Sequence, residues 1–325
     1  MRAAVYRQYG PAEVVGLEEA AKPSPAAGQV LVRVHASTVS AADHRARTRD
    51  VPRGLLIPTA LALGVFRPRK HILGMDAAGV IGAVGPCVTA FAPGDEVITW
   101  LGARFGGHAE YVAVPHDGPI TAKPRNMGFE EAVTLVFGGL PALGFLRQAS
   151  LKPGDAVLVN GASGAVGTAA VQLAKHLGAE VTGVCSSKHK DLVLSLGADN
   201  VIDYTTQDFA ADARTYSVIM DCVGNAPFER VNKLIKPGGA LLLVVSDLKG
   251  ALLGPVRTRR SGKLITAKAA KPTAEHLSFL VTLAEAGGYQ PVIDRTYDLS
   301  NIVEAHRYVD AGRKAGNVVV RVPVS

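Results

Sequence analysis

The feature that most constrains this chain is a glycine-rich turn between a short apolar run and a helix-like pattern. The run is Val157–Val159, and after the turn hydrophobic residues recur at helical spacing, at Val166, Ala169, Ala170, Leu173 and Leu177. A strand, a tight turn and a helix start form a phosphate site, because the first amides of the helix are free and its dipole is positive there. We therefore predict that a pyrophosphate binds at Ala162, Ser163, Gly164, Ala165, Val166 and Gly167.

The glycines of this turn have separate predicted roles. Gly164 allows a pyrophosphate to approach the backbone, and Gly167 allows the helix to pack closely on the strand. Ala162 stands where the usual fingerprint has its first glycine, and such a variant could also serve any tight strand–helix turn. The context favours phosphate binding, since Gly178 would end the helix and residues 180–184 supply the next strand. Further apolar runs at 200–202, 217–220 and 240–245 predict a doubly wound parallel sheet with its ligand at the carboxyl ends of the strands.

The end of the second strand indicates which dinucleotide binds. A carboxylate there would favour NAD and repel a 2′-phosphate, but the sequence continues Cys185-Ser186-Ser187-Lys188-His189-Lys190. Two hydroxyls and two ammonium groups suit a 2′-phosphate, so we predict NADPH over NADH. The alternative is that Lys188 and Lys190 only begin a solvated helix.

Composition and charge exclude several other classes of protein. The chain has 325 residues, 48% hydrophobic and 19% charged, which suits two globular domains. No long uninterrupted apolar run and no signal-peptide core are visible, so we expect a cytoplasmic protein without a membrane partner. The three cysteines are far apart and predict neither a disulfide framework nor a structural zinc site. The net charge of +7 would suit nucleic acid or a polyanionic cofactor. Because the basic stretches lack interleaved aromatic residues, we expect no nucleic-acid partner.

The pattern on either side of the glycine-rich unit differs from the pattern within it. Before residue 123 it is mainly β, with alternating or apolar runs at 29–35, 78–81, 96–100 and 109–114. Helical patterns begin at Phe129 and again near Pro141. Beyond Pro272 we predict an amphipathic helix, an extended segment at 293–297, a helix at 301–311 and a terminal strand at 317–322.

Taken together, the motifs resemble the medium-chain dehydrogenase/reductase superfamily, and within it the zinc-independent quinone oxidoreductase branch. The resemblance spans nearly the whole chain and is carried by the order and spacing of residues 73–80, 94–97, 107–112, 160–167, 196–204 and 316–320. It implies an α/β fold in which a GroES-like, mainly β domain (1–124 and 268–325) flanks a Rossmann domain with a doubly wound parallel sheet (125–267). It also implies a homodimer with an active site in the interdomain cleft.

The resemblance allows zinc binding to be considered position by position. Zinc enzymes of the superfamily hold the catalytic metal with a cysteine and a histidine at positions that correspond to Ser40 and Met75. A hydroxyl and a thioether are poor Zn²⁺ ligands beside thiolate and imidazole. The four-cysteine structural lobe is missing, and the histidines show no ligand spacing. We predict no metal.

The resemblance also implies cofactor contacts outside the turn. It places Lys190 at the 2′-phosphate, beside the Ser186 and Ser187 already considered from the sequence, and Tyr204 at the adenosine end, although Tyr204 could instead be a core aromatic. Asn317, in the closing motif, is a further candidate. Many relatives have a threonine near the nicotinamide ribose where this chain has Pro141, which suits a first helical turn but donates no hydrogen bond.

These features favour reduction of a quinone or an α,β-unsaturated carbonyl by NADPH. Such a substrate is already electrophilic, so the site need only align hydride donor and acceptor and stabilise a developing oxyanion. The alternatives are a reductase or dehydrogenase of another carbonyl or alcohol, and a low-turnover NADPH-binding protein. No catalytic residue is identified. The pocket candidates for a small hydrophobic electrophile are Ser40, Asp43, His44 and Phe66, and Asp43 could equally be structural.

The segment from Pro52 to Lys70 contains an apolar run at 55–66. It is either a lid over the substrate, which would favour bulky hydrophobic acceptors, or a core helix.

Overall fold

The computed structural model describes residues 1–323, which form two large sheets and their helices. The strands are β1 (Arg2–Tyr6), β2 (Val15–Glu19), β3 (Gln29–Val39), β4 (Asp76–Val84), β5 (Glu96–Trp100), β6 (Tyr111–Pro115), β7 (Ile120–Ala122), β8 (Ala156–Asn160), β9 (Glu180–Cys185), β10 (Asn200–Asp203), β11 (Tyr216–Asp221), β12 (Ile235–Leu243), β13 (Leu264–Thr266), β14 (Ile293–Asp298) and β15 (Asn317–Arg321). The α-helices are α1 (Ala41–Thr48), α2 (Leu56–Leu63), α3 (Phe129–Thr134), α4 (Leu140–Leu146), α5 (Ala165–His176), α6 (Lys190–Ser195), α7 (Phe228–Val231), α8 (Leu248–Ser261), α9 (Ala274–Glu285) and α10 (Ile302–Asp310).

The predicted doubly wound sheet is confirmed. It is wholly parallel and has the strand order β10-β9-β8-β11-β12-β13. Val157, Leu158 and Val159 of β8 are all fully buried, as in a central parallel strand covered on both faces. The strand order reverses between β8 and β11, and the crevice at such a reversal is where ligands bind in this architecture. The short edge strand β13 was not predicted, because its three residues lie directly after a basic, helical stretch.

The second sheet combines the two ends of the chain. Its order is β14-β15-β3-β4-β5-β7, with β6 also paired to β3. β15 lies antiparallel to β3, with Val319 opposite Thr38, and parallel to β14. The C-terminal strand therefore returns to the N-terminal sheet, as the family resemblance implies. All strands of the parallel sheet lie between residues 156 and 266, whereas those of the second sheet lie within 29–122 and 293–321.

The two helices predicted around Gly138 and Gly139 are joined by a π-helical turn, Leu135–Gly139. A Cβ at Gly138 would lie 2.7 Å from the Ala165 carbonyl oxygen, and one at Gly139 would lie 2.9 Å from a methyl of Leu280. The glycines thus permit close packing instead of ending the helix. Within residues 1–323, this run at 129–146 alone is long and apolar enough to span a membrane, and 72% of it is buried in the protein, as in a core helix.

Candidate active site

A cleft of about 1030 Å³ lies at the carboxyl end of β8, on the side of the second sheet. Asn160, the last residue of β8, lines it, and its side-chain amide donates to Asp221 at the end of β11 (2.8 Å). The cleft therefore occupies the strand-order reversal. Residues from both sheets and from the segments between them line its walls.

The glycine-rich turn presents free amides to this cleft. Gly164 is the N-cap of α5, and the first α5 amide with a backbone acceptor is that of Thr168, which donates to the Gly164 carbonyl (2.8 Å). In the described part of the chain the amides of Ala165, Val166 and Gly167 have no backbone acceptor, and all three residues line the cleft. Free amides at the positive end of a twelve-residue helix form an anion site.

The glycines of the turn differ in what surrounds them. A Cβ at Gly167 would lie 2.0 Å from the Gly161 carbonyl oxygen, so only glycine allows α5 to pack this closely on the turn. A Cβ at Gly164 would have one neighbour, the same oxygen at 3.5 Å. Space therefore remains beside Gly164 for a ligand. Ala162 is fully buried behind the turn, facing Gly183 of β9, and does not line the cleft; Ser163 does.

The C-terminal segment contacts the same turn. The Gly316 amide donates to the Ser163 carbonyl (2.7 Å), and the Lys314 ammonium, which lines the cleft, donates to the Gly316 carbonyl (2.6 Å). Burial lowers the pKa of Lys314 to about 8. Asn317 is buried beneath this contact, and its side-chain oxygen has no hydrogen-bond partner among residues 1–323.

The other predicted cofactor residues lie around the end of β9. Tyr204 lines the cleft and is 60% exposed, so it is not a core residue. Ser186 is half-buried, and Ser187 and Lys190 are exposed beyond the residues that line the cleft. One carboxylate is close: the Thr205 hydroxyl donates to Asp203 (2.7 Å) and, with a contribution from Ser187, holds the pKa of Asp203 below its usual range.

The opposite part of the cleft is apolar. It is lined by Met75, Trp100, Phe137, Pro141 and Phe145, and the Trp100 and Phe137 rings are stacked with centroids 6.1 Å apart. Phe137 belongs to the π-helical turn, a local distortion that often occurs at functional sites. Pro141 thus lies on the cleft but contributes no donor.

The structure does not place the predicted pocket residues on this cleft. Ser40 and Asp43 are buried and bonded to each other as the capping box of α1, and Asp43 also accepts from the Gly74 amide (2.9 Å). These bonds make Asp43 structural. His44 contacts the Asp310 carboxylate (2.6 Å), and Phe66 is 91% exposed beyond the cleft.

Sequence reasoning missed residues that do line the cleft, notably Arg45 and Lys314. Ala41, Ala42 and Arg45 lie at helical spacing on the face of α1 opposite to its buried residues. That spacing was available as a signal in the sequence. Lys314 lies only three residues before the candidate Asn317, but nothing in the pattern distinguished it from a surface lysine.

A buried polar cluster lies behind the apolar wall. Asp76 follows Met75, is fully buried, and accepts from the Thr38 amide (2.7 Å) and hydroxyl (2.6 Å). Burial raises the pKa of Asp76 to about 7. These bonds connect β4 to β3.

The donors at the expected zinc position do not suit the metal. Ser40 is bonded to Asp43, and Met75 offers only a thioether. No group of three or more His, Cys, Asp or Glu side chains within residues 1–323 could hold a metal ion.

Comparisons with known proteins agree with this fold. Residues 26–125 match the family described as the alcohol dehydrogenase GroES-like domain, and residues 196–320 match that described as zinc-binding dehydrogenase. The 2-methylene-furan-3-one reductase of Solanum lycopersicum is 32% identical, over 98% of this chain and 79% of the relative. A chloroplastic NADPH-dependent alkenal/one oxidoreductase of Arabidopsis thaliana is 30% identical, with the same coverage of 98% and 79%. The solved structure of the Coxiella burnetii quinone oxidoreductase superimposes with a TM-score of 0.87 at 27% identity, over 99% of both chains. The chain therefore belongs to the quinone oxidoreductase-like branch of the medium-chain dehydrogenase/reductase superfamily, a family of oxidoreductases that use a nicotinamide cofactor.

Proposed function

We propose that this protein uses NADPH to reduce a quinone or an α,β-unsaturated carbonyl by hydride transfer in the cleft, without zinc. The observation that carries the proposal is that one cleft is lined both by the free amides of Ala165–Gly167 and by the apolar group around Trp100 and Phe137. An anion site and an apolar surface in one cleft suit a dinucleotide and a flat, hydrophobic acceptor.

When bound, NADPH supplies the hydride. The α5 amides and the Lys314 ammonium bind and orient the pyrophosphate, while Met75, Trp100 and Phe145 exclude water and orient the acceptor. An acceptor whose double bond is conjugated to a carbonyl needs no Lewis acid to receive a hydride. We assign the proton to solvent water.

Relatives support this substrate class. The tomato relative is named for a ketone that carries a conjugated exocyclic double bond, and the Coxiella burnetii structure is that of a quinone oxidoreductase. Both acceptor types are electrophilic at a carbon or oxygen conjugated to a carbonyl group.

The test is NADPH oxidation by chelator-treated protein with a quinone, an enone and a simple aldehyde of similar size. We expect turnover with the quinone or the enone and little with the aldehyde. Activity that disappears on chelation and returns with Zn²⁺ would contradict the zinc-free proposal. Turnover restricted to the aldehyde would indicate another carbonyl reductase, and NADPH binding without turnover would indicate a binding protein.

The proposed preference for NADPH rests on Lys188 and Lys190, which are both exposed at the end of β9 and have no hydrogen-bond or ion-pair partner in the described part of the chain. We expect Lys190→Glu to raise the Kd for NADPH at least tenfold, since a charge-assisted hydrogen bond contributes about 1.5–3 kcal/mol. The Kd for NADH should change little. Lys152→Glu, an equal change of charge at an exposed site away from the cleft, is the control. Equal losses for both cofactors, or none, would show that these lysines do not select the phosphate.

We also propose a cytoplasmic homodimer whose ligands are NADPH and a small hydrophobic electrophile, with no nucleic-acid or membrane partner. The superfamily resemblance supports the dimer. Light scattering of the purified protein tests it, and a monomer at micromolar concentration would contradict it.

A further inference from the structure

A second cavity, of about 720 Å³, adjoins the cleft. It lies at the ends of β11 and β12 and is bounded by α8 and by the segment that follows α1. Arg45, Val223 and Val245 line both cavities, so Arg45 stands where the two spaces meet. We call this second space the side cavity.

Four carboxylates also line the side cavity, and bonds within the protein occupy oxygens of three of them without removing the charge of those held by neutral amides. Asp221 accepts from the Asn160 amide and from three backbone amides of the loop after β11. Asp247 caps α8 by accepting from the Gly250 amide (2.6 Å), and Glu229 is paired with Arg257. Asp50, whose side chain is 83% exposed, is the remaining carboxylate, and it lies 3.7 Å from a ring nitrogen of His44.

Three cations of the side cavity, in contrast, are free. Arg45, Arg53 and Lys249 have no side-chain hydrogen bond and no carboxylate within 4.0 Å in the described residues, although Lys249 is near enough to Glu229 to help lower the pKa of that carboxyl. Arg45 is also partly desolvated, and this burial lowers its pKa although the nearby Asp50 opposes the effect. A desolvated guanidinium without a partner is costly to hold unless a ligand compensates it.

The two ends of an acceptor that spans the cleft and the side cavity would therefore contact different kinds of side chain. The apolar wall around Trp100 suits a conjugated carbonyl, whereas the side cavity offers three unpaired cations. Guanidinium groups bind carboxylate and phosphate oxygens through paired N–H donors.

We propose that the physiological acceptor carries a carboxylate or a phosphate remote from its reducible double bond, and that Arg45, assisted by Arg53 and Lys249, binds this anionic group in the side cavity. The inference rests on the proposed function, because it adds a tail to the same acceptor. It makes Arg45 a specificity-determining residue, which positions the acceptor and takes no part in hydride transfer.

The test compares a methyl enone that ends in a carboxylate with the same enone ending in a primary amide, which has the same shape and no charge. In the wild type we expect kcat/KM to favour the carboxylate. Arg45→Gln should lower kcat/KM for the carboxylate about ten- to a hundredfold more than kcat/KM for the amide, mainly through KM. Arg45→Lys should retain part of the preference, because it keeps the charge but not the paired donors.

Arg125→Gln is the matched control, since Arg125 is exposed and lines neither cavity. Two further enone probes end in a phosphate, one on an alkyl chain and one as part of a nucleotide. A preference for the alkyl phosphate would indicate a simple phosphorylated acceptor. A preference for the nucleotide would indicate an acceptor attached to a nucleotide-containing carrier. Calorimetric titration of NADP⁺-loaded protein with the saturated carboxylate gives a readout that does not depend on turnover.

The outcomes separate this inference from the proposed function. Reduction of the amide with no preference for the carboxylate, or equal losses for both in Arg45→Gln, would overturn the inference and leave the reductase intact. Absence of turnover with both enones and with quinones would overturn the proposed function, and the titration would then still decide whether Arg45 binds the anion. A loss of NADPH affinity in Arg45→Gln would assign Arg45 to the cofactor instead.

Discussion

Two alanine substitutions in the glycine-rich turn should have different effects. Gly164→Ala should weaken cofactor binding, whereas Gly167→Ala should lower the stability of the fold. The two glycines lie in one turn, three residues apart, and the added methyl group is the same. At Gly167 the methyl would lie 2.0 Å from the Gly161 carbonyl oxygen and 2.8 Å from the Ala162 Cα. Both neighbours are backbone atoms, so the backbone of the turn itself must move. Overpacking of this kind typically costs about 1–3 kcal/mol, and we expect the upper end of that range.

At Gly164 the methyl group fits the unliganded protein. Its one neighbour is at 3.5 Å, and the φ of −79° suits alanine. Alanine is a poorer N-cap than glycine, by up to about 1 kcal/mol, but it reduces the entropy of the unfolded chain by about 0.4–1 kcal/mol. The two effects nearly cancel. The methyl group would nevertheless occupy the space beside the free amides of α5, so NADPH affinity should fall at least tenfold.

Thermal unfolding and NADPH fluorescence titration test this pair. Gly167→Ala should lower the Tm by roughly 5–10 °C, since 1 kcal/mol corresponds to about 2–4 °C in domains of this size. Gly164→Ala should change the Tm by less than about 2 °C while weakening NADPH binding. If Gly164→Ala binds NADPH as tightly as the wild type, the pyrophosphate does not lie against this turn. Equal Tm values for Gly167→Ala and the wild type would refute the packing argument.

Further predictions concern pH, charge and the apolar helix. Because the folded-state pKa of Asp76 is raised to about 7, the native state holds this proton where the unfolded state has lost it. The protein should therefore lose stability as pH rises from about 4 toward 7, by up to about 4 kcal/mol, and Asp76→Asn should flatten this part of a Tm–pH profile. With the Lys314 pKa near 8, NADPH affinity should fall as pH rises through about 8; Lys314→Met should lower affinity about tenfold at neutral pH and remove this dependence in fluorescence titrations. If α2 is a lid, Ile57→Ser with Phe66→Ser should reduce kcat/KM for bulky acceptors several-fold more than for small ones, whereas unchanged selectivity would exclude the lid.

The parallel sheet could be predicted because its strands are apolar runs of ordinary length, separated by helices with a 3.6-residue period. Residues 157–159 are an example, since burial on both faces makes such a strand continuously hydrophobic. The pairing of β15 with β3 could not be derived from periodicity, because it joins residues about 280 positions apart. It followed only from the family resemblance.

The core-helix alternative for residues 55–66 was wrong. No residue of α2 is buried, and Ile57, Leu61 and Phe66 are 72%, 61% and 91% exposed. Composition alone could not distinguish the two cases, since an apolar helix that packs in a core and one that covers a cleft have the same residues. Whether α2 closes over an acceptor stays a prediction.

Helix α1 shows why the sequence pointed to Ser40 and Asp43 as pocket residues and did not point to Arg45. Its buried side uses Ser40 and Asp43, polar residues that look catalytic in a sequence, to close a capping box and to hold the Gly74 amide. Its cleft side presents Ala41, Ala42 and Arg45, of which only Arg45 carries charge. The helical geometry thus separates Ser40 and Asp43, which fix the backbone, from Arg45, which faces the cleft. For that reason substitutions on the buried side should affect stability first, whereas substitution of Arg45, whose side chain makes no hydrogen bond or ion pair within residues 1–323, should affect which acceptor the cleft admits.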